Sequence, residues 1–480
     1  MKRMMSVYRE MIDRSADVVL VPAYAMSGGW PGRLLERSNF SEKEMQAMDF
    51  LSESVVAEPL ILYTEEYNEA HGRLQPRLYV LHDGKVRSAE ASVLNQDGQP
   101  QCWVVDVAGK SIIIAVESAI LGGGGELCEL LESLLVANEV AQPAALVCLC
   151  SHAYSWADAP VDRESFAQTA AKFNLPLIYL NEVGGRGDRV MAGGSFAVNS
   201  DGSLSSQLQV LADDLQVINL LDSDASVAKL DYKEAKHLLS ALVLGLRDFV
   251  HCRGVSSVVL HADGSLSSQL AVIIARLALG DECVLLAKPA VDSSVETSDS
   301  TWLYPAIDES LIGEVDEFAR ASWLERLQSQ WLMSQAESSA TLVISSMNKL
   351  DYQLGEYVLG GRSMGHLSLL ADCFPSQLQL LADYLQGQGV EIARCEMPVS
   401  MRLPCSELVA EEIITLYREK LLSSDEIIGH DGRHEDAVRW IKRRLDLNEW
   451  KGSQMPPILR VTSQLRSNEM ADPVAHRFFS

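Results

Sequence analysis

The stretch VVLHADGSLSSQLAVII, from Val258 to Ile274, decides how the second half of this chain folds. Three apolar residues run into Asp263-Gly264-Ser265, and an apolar helical face follows at Leu270, Ile273 and Ile274, so the pattern predicts a strand, a loop and a helix. Loops of this kind bind phosphates, because backbone N–H groups and a helix N-terminus converge on one point. This loop is nevertheless short of the residues that phosphate chemistry needs.

The composition of the 480-residue chain is that of a globular protein with more than one core, since 47% of the residues are hydrophobic. The formal net charge of −26 argues against nucleic acid and anionic membranes as partners, because both would repel the chain. The N-terminal segment MKRMMSVYREMIDR lacks the apolar core of a signal peptide, and no apolar run is long enough to span a membrane. These features predict a cytoplasmic protein.

The cysteines predict neither a disulfide framework nor a zinc site, because their number is odd and no C-x-x-C pair occurs. Cys148 and Cys150 end a predicted buried strand, where His152 is placed to lower the pKa of the Cys150 thiol. No acid or lysine accompanies them in the local sequence, so both are interpreted as core residues. The nine cysteines are Cys102, Cys128, Cys148, Cys150, Cys252, Cys283, Cys373, Cys395 and Cys405.

Two domains are predicted, at residues 1–225 and 226–480. In the first, strands alternate with helices, which indicates a layered α/β domain. In the second, a long amphipathic helix at 230–250 leads into the opening stretch, and helices dominate from residue 315. The tail after Trp450 is predicted to pack as an extended arm. Predicted strands of the first domain include 17–21, 59–63, 77–81, 111–116, 145–150 and 176–180, and the glycine run 122–125 precedes a predicted helix.

An octapeptide, DGSLSSQL, occurs twice, at 201–208 and at 263–270. The first copy is predicted to form a turn between strands and the second to open a helix. No longer periodicity accompanies it, so it is not a structural repeat. The first copy indicates that these residues suit an ordinary surface turn.

Several segments together resemble the glutamine-dependent NAD(+) synthetases, in order and spacing and over nearly the whole chain. The C-terminal NEWKGSQMPP (448–457) followed by RVTS (460–463) resembles the end of these enzymes, and LVLGLRDF (242–249) is similar to the helix before their ATP loop. PLIYLNEVGG (176–185) with GGSF (193–196), and residues 22–35, resemble their nitrilase-like glutaminase domain.

The resemblance implies an N-terminal nitrilase-like α-β-β-α sandwich and a C-terminal Rossmann-like ATP-pyrophosphatase domain with a parallel sheet. In the family, a Glu-Lys-Cys triad releases ammonia from glutamine, and the second domain adenylates nicotinic acid adenine dinucleotide with ATP and Mg²⁺. Relative to the family pattern, the resemblance implies that this chain either lacks the first β-strand or has a start codon chosen too late. It also implies that the chain is short by roughly a helix between Ser294 and Trp302.

The glutaminase triad is not retained at the positions that the resemblance assigns. The base falls on Ala23, the nucleophile on Val116 and the lysine on Ser92. Valine carries no nucleophile, so the resemblance predicts a retained fold without amidase activity. Lys85 is an alternative cation, but it fits better in the predicted hairpin turn Asp83-Gly84-Lys85.

The family's ATP loop, Ser-Gly-Gly-x-Asp-Ser, falls on residues 263–268, where Gly264 and Ser268 are retained. Ser265 replaces a glycine, which obstructs close backbone approach. Ser267 replaces the acidic ligand, and Asp263 brings a negative charge to the place where pyrophosphate binds in the family, at a cost on the order of kilocalories per mole. The loop is therefore predicted to have lost its ligands.

Other positions of the synthetase site are mixed. Asn348, Lys349, Asp351 and Lys451 match polar residues of the family, so they are candidate nucleotide-binding residues or, alternatively, surface polar residues of an inherited scaffold. Arg362 stands where the family has an acid, and Pro375-Ser376 replaces a Lys-Thr pair.

Three hypotheses follow. The first is a non-catalytic paralogue with a structural or regulatory role, assembled as a homo-oligomer or with an active NAD synthetase, with no resident metal. The second is an active, ammonia-dependent ligase with an altered ATP site, which would use ATP and Mg²⁺. The third is a nucleotide-binding sensor.

Overall fold

The computed structural model describes residues 1–29, 31–68, 72–94, 98–116, 124–136, 143–156, 163–220, 234–288, 301–305, 315–393, 403–430 and 435–462. These divide into two compact units. The first comprises residues 1–153, 159–186 and 191–232, and the second comprises 154–158, 187–190 and 233–480. The sequence expectations for residues 122–123, 230–233 and 294–300 lie outside the described residues.

The first unit contains a four-stranded sheet with the order β1-β2-β3-β4 and a mixed seven-stranded sheet with the order β13-β12-β9-β8-β7-β6-β5. Its elements are α1 (Lys2–Asp13), β1 (Val19–Leu20), a 3-10 helix (Gly32–Glu36), α2 (Ser38–Ser52), β2 (Leu60–Asn68), β3 (Arg73–His82), β4 (Lys85–Ser88), β5 (Ala91–Leu94), β6 (Pro100–Val107), β7 (Lys110–Val116), α3 (Gly124–Val136), β8 (Ala145–Cys150), α4 (Arg163–Phe173), β9 (Leu177–Asn181), β10 (Val183–Arg186), β12 (Phe196–Val198) and β13 (Leu204–Gln207). Strand β11 (Arg189–Ala192) belongs to the first unit at residues 191–192 and to the second at residues 189–190.

Alternation along the strands builds the layers of this unit, because successive side chains of a strand face opposite sides of its sheet. In β7, Ile113 and Ala115 pack in the cluster that includes residues of α3 and α4, whereas Ile114 and Val116 pack between the two sheets. In β2, Leu60 and Leu62 likewise pack in the cluster that includes residues of α1 and α2. The three clusters therefore confirm the α-β-β-α sandwich.

The second unit is built on a parallel sheet with the order β16-β15-β14-β17-β18. Its elements are α5 (Glu234–Cys252), β14 (Val258–His261), α6 (Leu266–Leu279), a 3-10 helix (Asp281–Cys283), β15 (Val284–Lys288), β16 (Thr301–Leu303), α7 (Glu317–Ser338), β17 (Leu342–Ser345), α8 (Lys349–Leu354), β18 (Leu367–Ser368), α9 (Pro375–Gly387), α10 (Glu407–Arg418), α11 (Ser424–His430) and α12 (Glu435–Gly452). The Rossmann-like prediction is confirmed. None of the described helices is both long and apolar enough to span a bilayer.

The strand order reverses between β14 and β17, the place where open α/β sheets bind ligands. The segments after these strands, at 262–265 and 346–348, therefore meet at one edge of the sheet. Beyond α12 the chain is extended as far as residue 462, the last one described, where Ile458 bridges to Ser368 and Arg460 to Arg189.

Candidate functional site

The loop between β14 and α6 is an Asx turn followed by a capped helix. Gly264 has φ of +80°, which suits glycine, and Asp263 Oδ1 accepts a hydrogen bond from the Ser265 N–H at 2.9 Å. Ser265 caps α6, since its hydroxyl accepts from the Ser268 N–H at 3.2 Å. The Ser268 hydroxyl donates to the His261 carbonyl at 2.8 Å. The predicted strand, loop and helix are all present.

An ion pair unforeseen from the sequence crosses this loop. Arg362 Nη1 lies 2.5 Å from Asp263 Oδ2, and its backbone N–H donates to Glu325 Oε1 of α7 at 2.9 Å. Burial alone would raise the pKa of Asp263, but hydrogen bonds from Ser265 and the charge of Arg362 outweigh it and hold that pKa below its ordinary value. The acid and the base that depart from the family pattern thus neutralise each other.

These side chains do not fit Mg²⁺ with a bound triphosphate. A Mg²⁺ ion takes oxygen ligands, with carboxylates the usual protein contribution. The two oxygens of Asp263 already accept from Ser265 and Arg362, and Ser267, on the first turn of α6, has only a neutral hydroxyl. Among the described residues, no group of three or more His, Cys, Asp or Glu side chains is arranged to hold a metal ion.

A buried polar pair lies beside the loop. His261 ends β14 with 7% exposure, and its Nδ1 is hydrogen bonded to the Tyr304 hydroxyl. Burial, with a further contribution from Arg362, lowers the pKa of His261 to about 4, so the ring is neutral at pH 7. Its Nε2 is buried and makes no hydrogen bond within the described part of the chain.

The predicted polar residues after β17 have structural contacts. Asn348 caps α8, with its Oδ1 accepting from the Asp351 N–H at 3.0 Å and its Nδ2 donating to Asp351 Oδ2 at 2.8 Å. Lys451 Nζ donates to the Gly355 carbonyl, at the other end of the same helix, at 2.7 Å. Both side chains therefore satisfy the ends of α8.

Lys349 is buried, with 2% exposure, in an ionic network. Its Nζ lies 2.9 Å from Glu419 Oε1 and 3.4 Å from Asp372 Oδ1. Burial would lower the pKa of Lys349, but the two carboxylates outweigh it and raise that pKa. Sequence reasoning missed Asp372 and Glu419, because both lie far along the chain from Lys349 and no local pattern marks them.

Asp351 bears on stability through its raised pKa. Burial, followed by repulsion from Glu407, raises the pKa of this carboxyl to about 6, and Asp263 adds to the effect. Between about pH 4 and pH 6 this carboxyl is ionised in the unfolded chain but still protonated in the folded protein, so the free energy of unfolding falls as the pH rises through this range. Above about pH 6 the carboxyl is ionised in both states and the loss is complete. The free energy of unfolding at neutral pH is therefore lower than it would be with a neutral residue.

Asp351→Asn is expected to raise the free energy of unfolding at pH 7.5 by about 1–2 kcal/mol and to leave it nearly unchanged near pH 3.5. Urea titrations at both pH values measure this. Asp383→Asn, at an exposed site on α9, is the matched control. An equal gain at both pH values, or the same gain in the control, would contradict the assignment.

In the first unit, two of the positions that correspond to the family's triad lie in one apolar cluster. Ala23 is 1% exposed and Val116 2% exposed, and both pack between the sheets with Tyr63 and Trp103. The rings of Tyr63 and Trp103 meet edge to face, with centroids 6.2 Å apart. The structure thus places Ala23 and Val116 in the same apolar cluster, and neither residue contributes a polar group to it.

The two cation candidates lie elsewhere. Ser92 is in the edge strand β5, where its hydroxyl accepts from the Val104 N–H at 3.2 Å. Lys85 is exposed and pairs with His82 across the β3–β4 hairpin, whose turn residues Asp83 and Gly84 have φ of +51° and +70°. The interpretation of Lys85 as a hairpin residue is confirmed.

The end of β8 requires one correction. The sequence placed no acid beside Cys150, but tertiary packing brings Glu182 there, with its N–H donating to the Cys150 carbonyl at 3.3 Å. The Glu182 carboxylate accepts from the Ser151 hydroxyl at 2.8 Å and from Arg186 Nε at 2.6 Å. Cys148 and Cys150 are both fully buried, and burial raises the pKa of Cys148, so they are core residues as predicted.

Comparison with known proteins finds relatives that match nearly the whole chain. The glutamine-dependent NAD(+) synthetase of Synechocystis sp. is 26% identical to this chain, over 97% of it and 93% of the relative. The enzyme of the same description from Acinetobacter baylyi is 23% identical, over 99% and 95%. No protein-family model matches the chain.

Solved structures of the same enzyme share the fold. A glutamine-dependent NAD(+) synthetase from Cytophaga hutchinsonii superimposes with a TM-score of 0.73 at 12% identity, covering 96% of this chain and 91% of that one. One from Acinetobacter baumannii, in complex with ADP, gives 0.67 at 21% identity, covering 97% and 94%. The chain is therefore a homologue, over nearly its whole length, of the glutamine-dependent NAD(+) synthetases.

Proposed function

We propose that this protein is a non-catalytic homologue of glutamine-dependent NAD(+) synthetase with a structural or regulatory role, assembled with itself or with an active synthetase. The proposal is supported by the side chains found at the positions that correspond to the family's catalytic groups in both units. Ala23 and Val116 pack in an apolar cluster, and Asp263 is paired with Arg362 across the loop. Amide hydrolysis needs a nucleophile and a base, and adenylation needs groups that stabilise phosphates, so both sites lack essential parts.

An active ligase is the second candidate. Its support is that relatives described as glutamine-dependent NAD(+) synthetases match nearly the whole chain, and that β14, its loop and α6 keep the geometry of an anion-binding site. In this case the second unit would form NAD from ammonia, since Val116 carries no nucleophile that could attack the glutamine amide. A nucleotide sensor would use the same loop without turnover.

The proposal is tested by turnover with glutamine as the nitrogen donor. Purified protein is incubated with deamido-NAD, ATP, Mg²⁺ and glutamine, and both glutamate and NAD are quantified. We expect neither product above an enzyme-free blank, while a glutamine-dependent NAD(+) synthetase from one of the relatives produces both under the same conditions. Glutamate release at a rate that saturates with glutamine would contradict the loss of the first site.

A further inference from the structure

The N-terminus of α6 already has an anion of its own. Helix N-termini attract negative charge, through unpaired N–H groups and the helix dipole. The Asp263 carboxylate lies there, where its Oδ1 accepts from the Ser265 N–H. Its octapeptide twin makes the same turn, with Asp201 Oδ1 accepting from the Ser203 N–H at 2.8 Å, but continues into a strand, so only Asp263 faces a helix.

The cation that holds Asp263 is itself anchored. Arg362 lies in the segment after α8, and its carbonyl accepts from the Ser345 hydroxyl at the end of β17 at 3.2 Å. Its backbone N–H is bound by Glu325, as described above. Arg362 therefore reaches Asp263 from a backbone fixed by α7 and β17, which reduces the entropy lost when the pair forms.

At the end of β14, the buried Nε2 of His261 makes no hydrogen bond within the described residues. A buried polar atom without a partner is costly, by about 1–3 kcal/mol, and such atoms are rare. His261 ends β14, two residues before Asp263, so this ring lies at the start of the same loop. This edge of the sheet thus has a polar atom without a described partner, His261 Nε2, next to a loop whose anion position is filled by the Asp263 carboxylate.

We propose that Asp263 and Arg362 form an autoinhibitory contact, in which the Asp263 carboxylate occupies the anion-binding end of α6 and Arg362 holds it there. The carboxylate excludes phosphate groups because it repels their negative charge and fills the position that they would take. The ion pair also stabilises the loop in place of a bound ligand. This inference rests on the proposed function, because it gives a reason why the second unit would not adenylate a substrate. Its test measures anion binding and loop opening without turnover, so it can fail while the loss of catalysis stands.

The first arm measures the binding of inorganic pyrophosphate to the full-length protein by calorimetry. Asp263→Ser is expected to bind at least about tenfold more tightly than the wild type, because the competing charge at the helix N-terminus is gone. Asp263→Asn, which keeps an oxygen for the Ser265 N–H, is the second variant if the serine variant does not fold. Asp201→Ser, the same change in the twin octapeptide, is the matched control and should leave binding unchanged.

The second arm measures amide hydrogen exchange at residues 264–268. Arg362→Gln is expected to speed exchange there by up to about fivefold, the range of a partly exposed ion pair. Arg326→Gln is the control, since Arg326 binds the same segment through the Leu359 carbonyl at 2.9 Å without reaching Asp263. The proposal is overturned if both Asp263 variants bind pyrophosphate no more tightly than the wild type, or if Asp201→Ser binds it as tightly as Asp263→Ser does. It is also overturned if Arg362→Gln and Arg326→Gln change the exchange rate at residues 264–268 by the same factor.

Discussion

Replacing Asp372 by alanine is expected to lower the free energy of unfolding by about 3–5 kcal/mol. Asp372 is fully buried, and its Oδ2 accepts from the N–H groups of both Val461 and Thr462 at 2.8 Å. Its Oδ1 faces the buried ammonium of Lys349. The substitution therefore removes two hydrogen bonds to the C-terminal arm and one of the carboxylates that pair with Lys349. Urea denaturation followed by circular dichroism measures the loss.

Two companion variants identify the cause. Asp372→Asn keeps an oxygen for the arm but loses the charge, so it is expected to cost about half as much. Lys349→Met combined with Asp372→Ala should cost less than the sum of the two single changes, because residues in one ionic network are coupled. A loss below about 1 kcal/mol for Asp372→Ala, or strict additivity of the double variant, would contradict the network.

Restoring the family's acid at Ala23 is expected to destabilise the first unit, by roughly 3–5 kcal/mol, and not to restore activity. Ala23 is 1% exposed between two sheets, where Tyr63 and Trp103 fill the space, so a glutamate would be both too large and without a partner for its charge. Thermal and urea unfolding of Ala23→Glu measure the effect.

Ala57→Glu, which adds the same side chain at an exposed position, is the matched control and should change the free energy of unfolding by less than about 0.5 kcal/mol. Val116→Cys is close in volume and should cost less than about 1.5 kcal/mol. If Ala23→Glu were as stable as the wild type, or if Ala23→Glu with Val116→Cys hydrolysed glutamine, these positions would still form a site rather than a core.

The octapeptide twins show what local sequence can predict and what it cannot. Both copies form the same Asx turn, with Gly202 and Gly264 at φ of +84° and +80°, because aspartate and glycine suit that turn wherever they occur. Beyond the turn the identical letters LSSQ form strand β13 in one copy and the first turn of α6 in the other. Tertiary context makes that difference: the first copy pairs with β12, whereas the second copy packs against the parallel sheet.

The sequence identified the individual residues of the candidate sites, but it did not predict which of them contact each other. The sequence showed that Asp263 and Arg362 both depart from the family pattern, and only the fold shows that the two meet, since 99 residues separate them. Lys349 was a candidate nucleotide-binding residue because it matches a residue of a family motif, and in the fold it is buried against Asp372 and Glu419. Pairs of charges that are distant in sequence leave no periodic pattern, so only the tertiary fold brings them together.

The most direct test of the loss of catalysis supplies ammonium in place of glutamine. Ammonium bypasses the first unit, so the formation of NAD from deamido-NAD, ATP and Mg²⁺ then depends on the loop between β14 and α6 and its surroundings. We predict no NAD above an enzyme-free blank, at any ammonium concentration that an active synthetase uses. NAD formation that saturates with deamido-NAD and ATP, and that disappears when the loop is altered, would contradict the account.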